Sequence, residues 1–203
     1  MGIKNAYNWY KSILVGRYGS GAGDLDDIRI DASTNTIQTI EYEHHEIHSG
    51  SHYYIDGYED NAINNVMDFT WQMPAAPLGV HWTWRLSVEA ETLYQVYEGA
   101  TATTPLANAI TPLNNDCNSG NTSDTIMKYE VFSNLAAANA VTDVTAATLK
   151  GTGVIGAGRD GGFNSRSSEI IMRAGSLYCL RTTASAAGYQ DFNMEWYEHT
   201  PKH

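Results

Sequence analysis

Two neighbouring segments alternate apolar and polar side chains with a period of two, and this pattern restricts the fold more than any other feature. In residues 65–73, Phe69 and Trp71 fall on one side and Asp68 falls on the other. Residues 80–88 repeat the pattern, with Trp82 and Trp84 in phase. Successive side chains of a β-strand point to opposite faces of the sheet. Both segments are therefore predicted to be strands with one buried face and one solvent-facing face.

Seven further segments have strand-like composition and end at Gly, Pro, Asn or Asp, namely residues 36–47, 52–58, 91–99, 126–132, 168–173, 177–184 and 191–199. The alanine-rich residues 134–149 are the one helical candidate, with a long connecting loop as the alternative. Two half-buried sheets need each other's apolar face. The sequence thus predicts an all-β chain with a single β-sandwich, jelly-roll-like, and long loops at residues 105–123 and 150–168.

The first 30 residues differ from the rest, because aromatic side chains and lysines give way to the Gly- and Asp-rich GRYGSGAGDLDD. We predict an extended N-terminal arm and linker over residues 1–30, and a β-sandwich domain over residues 31–203. The aromatic face of the arm is expected to pack against another chain. Its candidate interface residues are Tyr7, Trp9, Tyr10, Ile13 and Leu14.

Composition excludes several function classes. The 203-residue chain carries 23 acidic and 12 basic residues, and its formal charge is −11. This charge repels the phosphates of nucleic acids, so we expect no binding to DNA or RNA. No stretch of 18 apolar residues and no leader-like apolar run occurs, so we expect a soluble protein without a membrane contact. Cys117 and Cys179 do not have the spacing of a zinc module or of a disulfide framework.

Four histidines, His44, His45, His48 and His52, lie in the segment IEYEHHEIHSGSHYY, residues 40–54. If residues 36–48 are extended, His44 and His48 are roughly 13 Å apart, too far to share one metal ion. The glutamates of the segment then divide between both faces. We therefore predict a two-sided polar strand at a contact between subunits, with no metal, cofactor or catalytic residue. A metal-dependent or glycan-cleaving enzyme is the alternative that this segment motivates.

Residues 151–158, GTGVIGAG, match the G-x-G-x-x-G pattern of dinucleotide-binding sites. That site needs a strand before the glycines and a helix after them, whose N-terminus receives the pyrophosphate. Here RDGGFNSRSSE follows, with two more glycines and no helical pattern. The match is interpreted as a flexible loop.

Aromatic residues suggest one other kind of site, because exposed Trp and Tyr side chains can serve as platforms for sugar rings. Trp71, Trp82 and Trp84 are in phase with the apolar face of their strands and are predicted to lie in the core. The less regularly placed tyrosines are open to a role at a rim or an interface; they are Tyr53, Tyr54, Tyr58, Tyr94 and Tyr97.

Several stretches together resemble small all-β virion structural proteins of tailed bacteriophages, most closely capsid decoration (cement) or other head-surface proteins. They are DASTNTIQTIEYEHHEIHSGSHYY, TPLNNDCNSGNTS, SSEIIMRAGSLYCLRTTASAAG and MEWYEHT, which span residues 31–200. The resemblance implies a non-enzymatic protein made in the host bacterial cytoplasm. It would sit on the outer surface of the capsid, bridge neighbouring copies of the major capsid protein, and form a homotrimer. The alternative is a glycan- or receptor-binding β-sandwich module on a phage head or tail fibre.

Overall fold

The fold is built from two antiparallel β-sheets packed face to face, in a computed structural model that describes residues 42–163, 165 and 168–200. The predicted all-β sandwich is confirmed. The predicted arm and its boundary near residue 30 lie outside the described residues, as do Tyr7, Trp9, Tyr10, Ile13 and Leu14.

The front sheet pairs its strands in the order β11-β3-β14-β1-β7, with β12 also paired to β3. Its strands are β1 His52–Asn61, β3 Gly79–Val88, β7 Leu113–Asn114, β11 Arg159–Phe163, β12 Ile170–Met172 and β14 Gly188–His199. The first and last of the described strands therefore pair with each other, over ten residues from His52 opposite Tyr197 to Asn61 opposite Gly188.

The back sheet has the order β10-β4-β13-β2-β8-β6. Its strands are β2 Val66–Gln72, β4 Thr92–Glu98, β6 Asn108–Ile110, β8 Ile126–Phe132, β10 Thr148–Ile155 and β13 Leu177–Ala184. A two-stranded ribbon, β5 Thr101–Ala102 with β9 Thr142–Asp143, and the helices α1 Tyr42–His48 and α2 Leu135–Val141 complete the described elements. None of the described helices has the length and apolar character needed to cross a membrane.

The core lies between the two sheets and is rich in aromatic side chains. Trp71, Trp82 and Trp84 are each 1% exposed, as predicted from their phase. Trp71 meets Trp82 edge-on with ring centroids 4.7 Å apart, and Phe69 meets Phe192 in the same way at 4.7 Å. Edge-to-face pairs of this kind add about 0.5–1.5 kcal/mol to the free energy gained by burying their area.

The solvent-facing side predicted for β2 is wrong, because Val66, Asp68 and Thr70 are buried. A second layer, made of α2 and the β5–β9 ribbon, covers the half of the back sheet that contains β2 and β8. A small second core joins the two, with Val66 and Phe132 of the sheet packed against Leu106 and Ala138. Alternation alone could not reveal this layer, since it lies far away in sequence.

The predicted helix is present but shorter than residues 134–149. Asn134 caps it, because its side-chain oxygen accepts a hydrogen bond of 3.0 Å from the Ala137 backbone N–H. The helix ends where Thr142 begins β9. β-Branched side chains follow at Val144 and Thr145, and these favour extended backbone over helix.

The prediction of long loops at residues 105–123 and 150–168 is also partly wrong. Within residues 150–168, β10 pairs with β4 in the back sheet, and after a short turn β11 pairs with β3 in the front sheet. The pattern GTGVIGAG therefore belongs mainly to a strand and the turn after it, and no helix N-terminus follows the glycines. Gly151 and Gly153 lie where a Cβ atom would come within 2.9 Å of the Phe163 ring and 2.8 Å of the Tyr94 ring. Within residues 105–123, the short strand β6 adds to the edge of the back sheet and β7 adds to the edge of the front sheet.

Candidate binding surfaces

Within the histidine-rich segment, residues 42–48 form a helix and not the predicted strand, whose earlier residues lie outside the described part of the chain. Helix α1 covers Tyr42–His48 and ends in a Schellman motif, in which Ser51 N–H donates to Glu46 O and Gly50 N–H donates to Ile47 O. Gly50 has φ of +69°, a left-handed conformation that glycine adopts without strain. The argument from strand spacing for separating His44 and His48 therefore does not apply.

The described histidines of this segment nevertheless differ in burial and do not form one cluster. His45 and His48 are exposed near the end of α1, whereas His52 is buried at the start of β1 and contacts Asn115, with 2.5 Å between Nδ1 and the amide nitrogen. In the described part of the chain, no group of three or more His, Cys, Asp or Glu residues is arranged to hold a metal ion. The role of His44, His45, His48 and His52 at a subunit contact stays a prediction.

Sequence reasoning missed a second histidine group, at the outer face of the front sheet. His81 Nδ1 lies 2.8 Å from a carboxylate oxygen of Glu169, and the His81 ring stacks on Tyr197 with centroids 4.5 Å apart. The Tyr197 hydroxyl lies 3.5 Å from the same Glu169 oxygen, and the His199 ring stacks on Tyr197 at 5.5 Å. Register brings His81 opposite Tyr197, so only the pairing of β3 with β14 could have revealed the group. These contacts tie the chain before β12 to the sheet.

Glu198 forms a dense hydrogen-bond network at the end of β14. Its carboxylate accepts hydrogen bonds from the Thr125 hydroxyl at 2.8 Å, the Asp124 N–H at 2.9 Å and the Trp196 indole N–H at 3.0 Å, with further bonds from Ser123 and from the Thr125 N–H. A carboxylate has about four lone-pair sites, so these donors use its capacity. Glu198 therefore fixes the loop before β8 and does not present an open carboxylate to a ligand.

Asp68 and Arg181 form an ion pair that is almost completely buried. Arg181 donates two hydrogen bonds of 2.7 Å to the two carboxylate oxygens, and it reaches the second layer through Asn139 at 2.5 Å and the Thr142 carbonyl at 3.0 Å. Burial raises the pKa of Asp68, although the hydrogen bonds and charge of Arg181 oppose that rise. Burial lowers the pKa of Arg181, but the bonds and charge of Asp68 outweigh it and the net pKa is raised. The network joins the second layer to the back sheet.

The outer face of the front sheet contains a polar cleft of about 390 Å³, lined by Thr83, Trp84, Arg85, Asn193 and Glu195. Strand register creates it, because Thr83 stands opposite Glu195 and Arg85 stands opposite Asn193 across the β3–β14 pair. Arg85 is exposed and makes no ion pair with any residue that the structure describes. Its guanidinium N–H groups are therefore available as donors beside amide, hydroxyl and carboxylate oxygens.

Two tyrosines extend this face. Tyr58 and Tyr189 are 72% and 53% exposed, and their rings meet edge-on with centroids 6.0 Å apart. Tyr58 stands opposite Asp191 across the β1–β14 pair, only two residues along β14 from Asn193 of the cleft. Asp191 and Asn193 are roughly 7 Å apart along β14. The tyrosine pair and the cleft thus form one continuous surface, which we call the front-sheet surface.

The other tyrosines that the sequence left open have different surroundings. Tyr53 is 4% exposed and packs on Trp196, and burial followed by the negative charges of Glu198 and Asp124 raises its pKa to about 12. Tyr94 packs edge-on against Trp84 at 4.9 Å. Neither belongs to a rim.

The uncovered half of the back sheet has an apolar outer face. Leu93 of β4 stands opposite Val154 of β10, and Tyr97 stands opposite Leu149. Leu93, Leu149 and Val154 are 38%, 47% and 60% exposed. The pair between these two rows, Gln95 and Thr152, is uncharged as well. We call these six residues the β4–β10 patch.

No protein-family model, no curated protein and no solved structure matches this chain.

Proposed function

We propose that this protein is a non-enzymatic virion structural protein that stabilises a bacteriophage capsid by bridging neighbouring major coat subunits. The support comes from two sides: the sequence stretches that resemble capsid decoration proteins, and the β4–β10 patch. The patch is the single structural observation that supports assembly into an oligomer, because exposed contiguous apolar surface on a folded protein marks contact sites. The contact with coat subunits is supported by the resemblance alone.

The occupant that we propose for the β4–β10 patch is a second copy of this chain. A chain with a net charge of −11 repels its own copies, so self-association requires a contact area without charge. The six patch residues provide such an area. The other half of the same sheet face already packs against α2 and the β5–β9 ribbon. A symmetric oligomer, for which the resemblance suggests a trimer, covers the patch on every copy at once.

Contact through the face of the sheet is favoured over pairing of strand edges. The β10 strand has a register irregularity between Leu149 and Gly151, and the intervening Lys150 forms a 2.5 Å ion pair with Glu98. Irregular pairing and lysine on an edge strand are common protections against the addition of another strand.

We interpret the strand order as that of a jelly roll. Without the added edge strands, the front sheet is β11-β3-β14-β1 and the back sheet is β10-β4-β13-β2. Eight strands in two sheets with the first strand paired to the last fit this arrangement, which occurs in viral capsid proteins and in lectins. Because a fold does not determine function, this order is compatible with both candidate functions.

The virion itself provides the test of the first proposal. Particles that lack this protein are expected to lose infectivity sooner than complete particles on heating, since a ligand of the mature shell stabilises that shell. Adding back purified protein should restore the survival curve. Unchanged survival without the protein would contradict the proposal.

The second candidate function is a glycan- or receptor-binding module on a phage head or tail fibre. The front-sheet surface favours it, because it combines exposed tyrosine rings with a cleft of hydrogen-bonding groups. Such a module could accompany a structural role, as the two surfaces lie on opposite sheets.

A further inference from the structure

We propose that the front-sheet surface is a binding site for uncharged carbohydrate. This inference develops the second candidate function and does not depend on capsid stabilisation or on the β4–β10 patch. It rests on the cleft, on the exposed tyrosine pair and on the charge distribution around both.

The cleft has the groups that sugar hydroxyls require. A hydroxyl both donates and accepts, so a sugar is held best where donors and acceptors alternate. Arg85 supplies donors, the amide of Asn193 supplies both kinds, and the hydroxyl oxygen of Thr83 supplies an acceptor, since its proton is directed to the Glu195 carbonyl at 3.4 Å. The volume of about 390 Å³ lies within the range of small-molecule sites.

The tyrosine pair provides the apolar part of the site. One face of a sugar ring presents C–H groups, which pack against the face of an aromatic ring. Tyr58 and Tyr189 are the two most exposed tyrosines of the described chain, and each keeps a polar hydroxyl at its tip. Tyr58 lies one strand across and two residues along from Asn193, at a backbone distance of roughly 8 Å, so one sugar unit can occupy the cleft while the next lies on the Tyr58 ring.

Charge selects against acidic ligands. Asp56 stands opposite Asn193 across the β1–β14 pair, and Asp191 and Glu195 flank Asn193 along β14. Asp56 and Asp191 are exposed. Asp60 stands opposite Tyr189. These carboxylates repel sialylated, sulfated or phosphorylated sugars. A cationic peptide would find the carboxylates, but it would also meet the exposed Arg85. The surface therefore favours a neutral glycan.

The test uses full-length protein on an array that contains neutral, sialylated and sulfated oligosaccharides, followed by calorimetric titration with the best-bound glycan and with trilysine. We expect neutral glycans to bind and the two acidic classes and trilysine to fail. Asn193→Ala and Tyr58→Ala should each weaken binding by roughly tenfold or more, because each removes a principal contact. Ile126→Ala, at an exposed residue of the back sheet, should leave it unchanged.

Several results would overturn the inference. The first is a lack of binding to any neutral glycan, and the second is binding to acidic glycans or trilysine alone. The third is wild-type affinity in the Asn193→Ala and Tyr58→Ala variants once circular dichroism shows that both are folded. None of these results would bear on heat survival of the virion, so failure of this inference and failure of the structural role are distinguishable.

Discussion

At the scale of single residues, burial decides the behaviour of the polar groups more than residue type does. Asp68 and Thr70 look solvent-facing in the sequence and are buried, because a layer from elsewhere in the chain covers them. The tryptophans of β2 and β3 were placed correctly, since period two and the size of the side chains both assign them to the core. The partner of Asp68 was not predictable, because 113 residues separate it from Arg181.

Removing the positive charge of the buried pair should destabilise the fold strongly. Arg181→Met leaves Asp68 buried without its partner, and we expect a loss of about 3–5 kcal/mol in the free energy of unfolding. The double variant Asp68→Leu with Arg181→Met should recover much of that loss, because no buried charge remains. Denaturant titration measures both, with Arg159→Met at an exposed arginine as the control. A double variant as unstable as the single one would show that the ion pair itself is required.

Tyr53 should make the fold sensitive to alkali. Its pKa is raised from 10.0 to about 12, so the unfolded chain loses this proton at lower pH than the folded chain does. The resulting stabilisation is complete below pH 10 and is lost as the pH rises through 12. Unfolding titrations between pH 9 and about pH 12 should therefore show a smaller decline for Tyr53→Phe than for the wild type. Tyr189→Phe, at an exposed ring, is the matched control for losing a tyrosine hydroxyl. Identical curves for the wild type and Tyr53→Phe would refute the assignment.

At the scale of elements, regular strands were predictable and local exceptions were not. The segments 126–132 and 177–184 match β8 and β13 to the residue. The prediction of a strand for residues 36–48 was wrong for the part that the structure describes, where Tyr42–His48 is a helix that ends at Gly50. The strand β10 lies within a predicted loop because it contains glycines, which disfavour strands but are needed there to leave room for aromatic rings.

The glycines of GTGVIGAG should therefore differ in importance according to packing. A Cβ atom at Gly153 would meet the Tyr94 ring at 2.8 Å, and that ring is held edge-on against Trp84. At Gly156 the nearest atom is the Arg159 Cδ at 3.7 Å. We expect Gly153→Ala to cost about 1–3 kcal/mol, as overpacking does, and Gly156→Ala to change stability by less than about 0.5 kcal/mol. Thermal unfolding compares them, and equal losses would contradict the packing explanation.

At the scale of the whole molecule, the two sheets expose surfaces of opposite character. The front-sheet surface is polar, acidic and aromatic, whereas the β4–β10 patch is uncharged and apolar. Neither could be located from the sequence, because each is assembled by cross-strand register between distant segments. The many tyrosines of the sequence are typical of contact surfaces, but they do not show where on the fold such a surface lies.

The central claim is that the β4–β10 patch joins copies of this chain, and sedimentation equilibrium tests it most directly. We expect the wild type to have a mass that is a multiple of 22.3 kDa. Leu93→Asp combined with Val154→Asp should reduce the mass to 22.3 kDa without unfolding the sandwich, because both side chains are already exposed. Ile63→Asp, a charge placed at another exposed apolar residue, should keep the oligomer. A wild-type protein of 22.3 kDa at every concentration, or an oligomer that survives the double substitution, would contradict the claim.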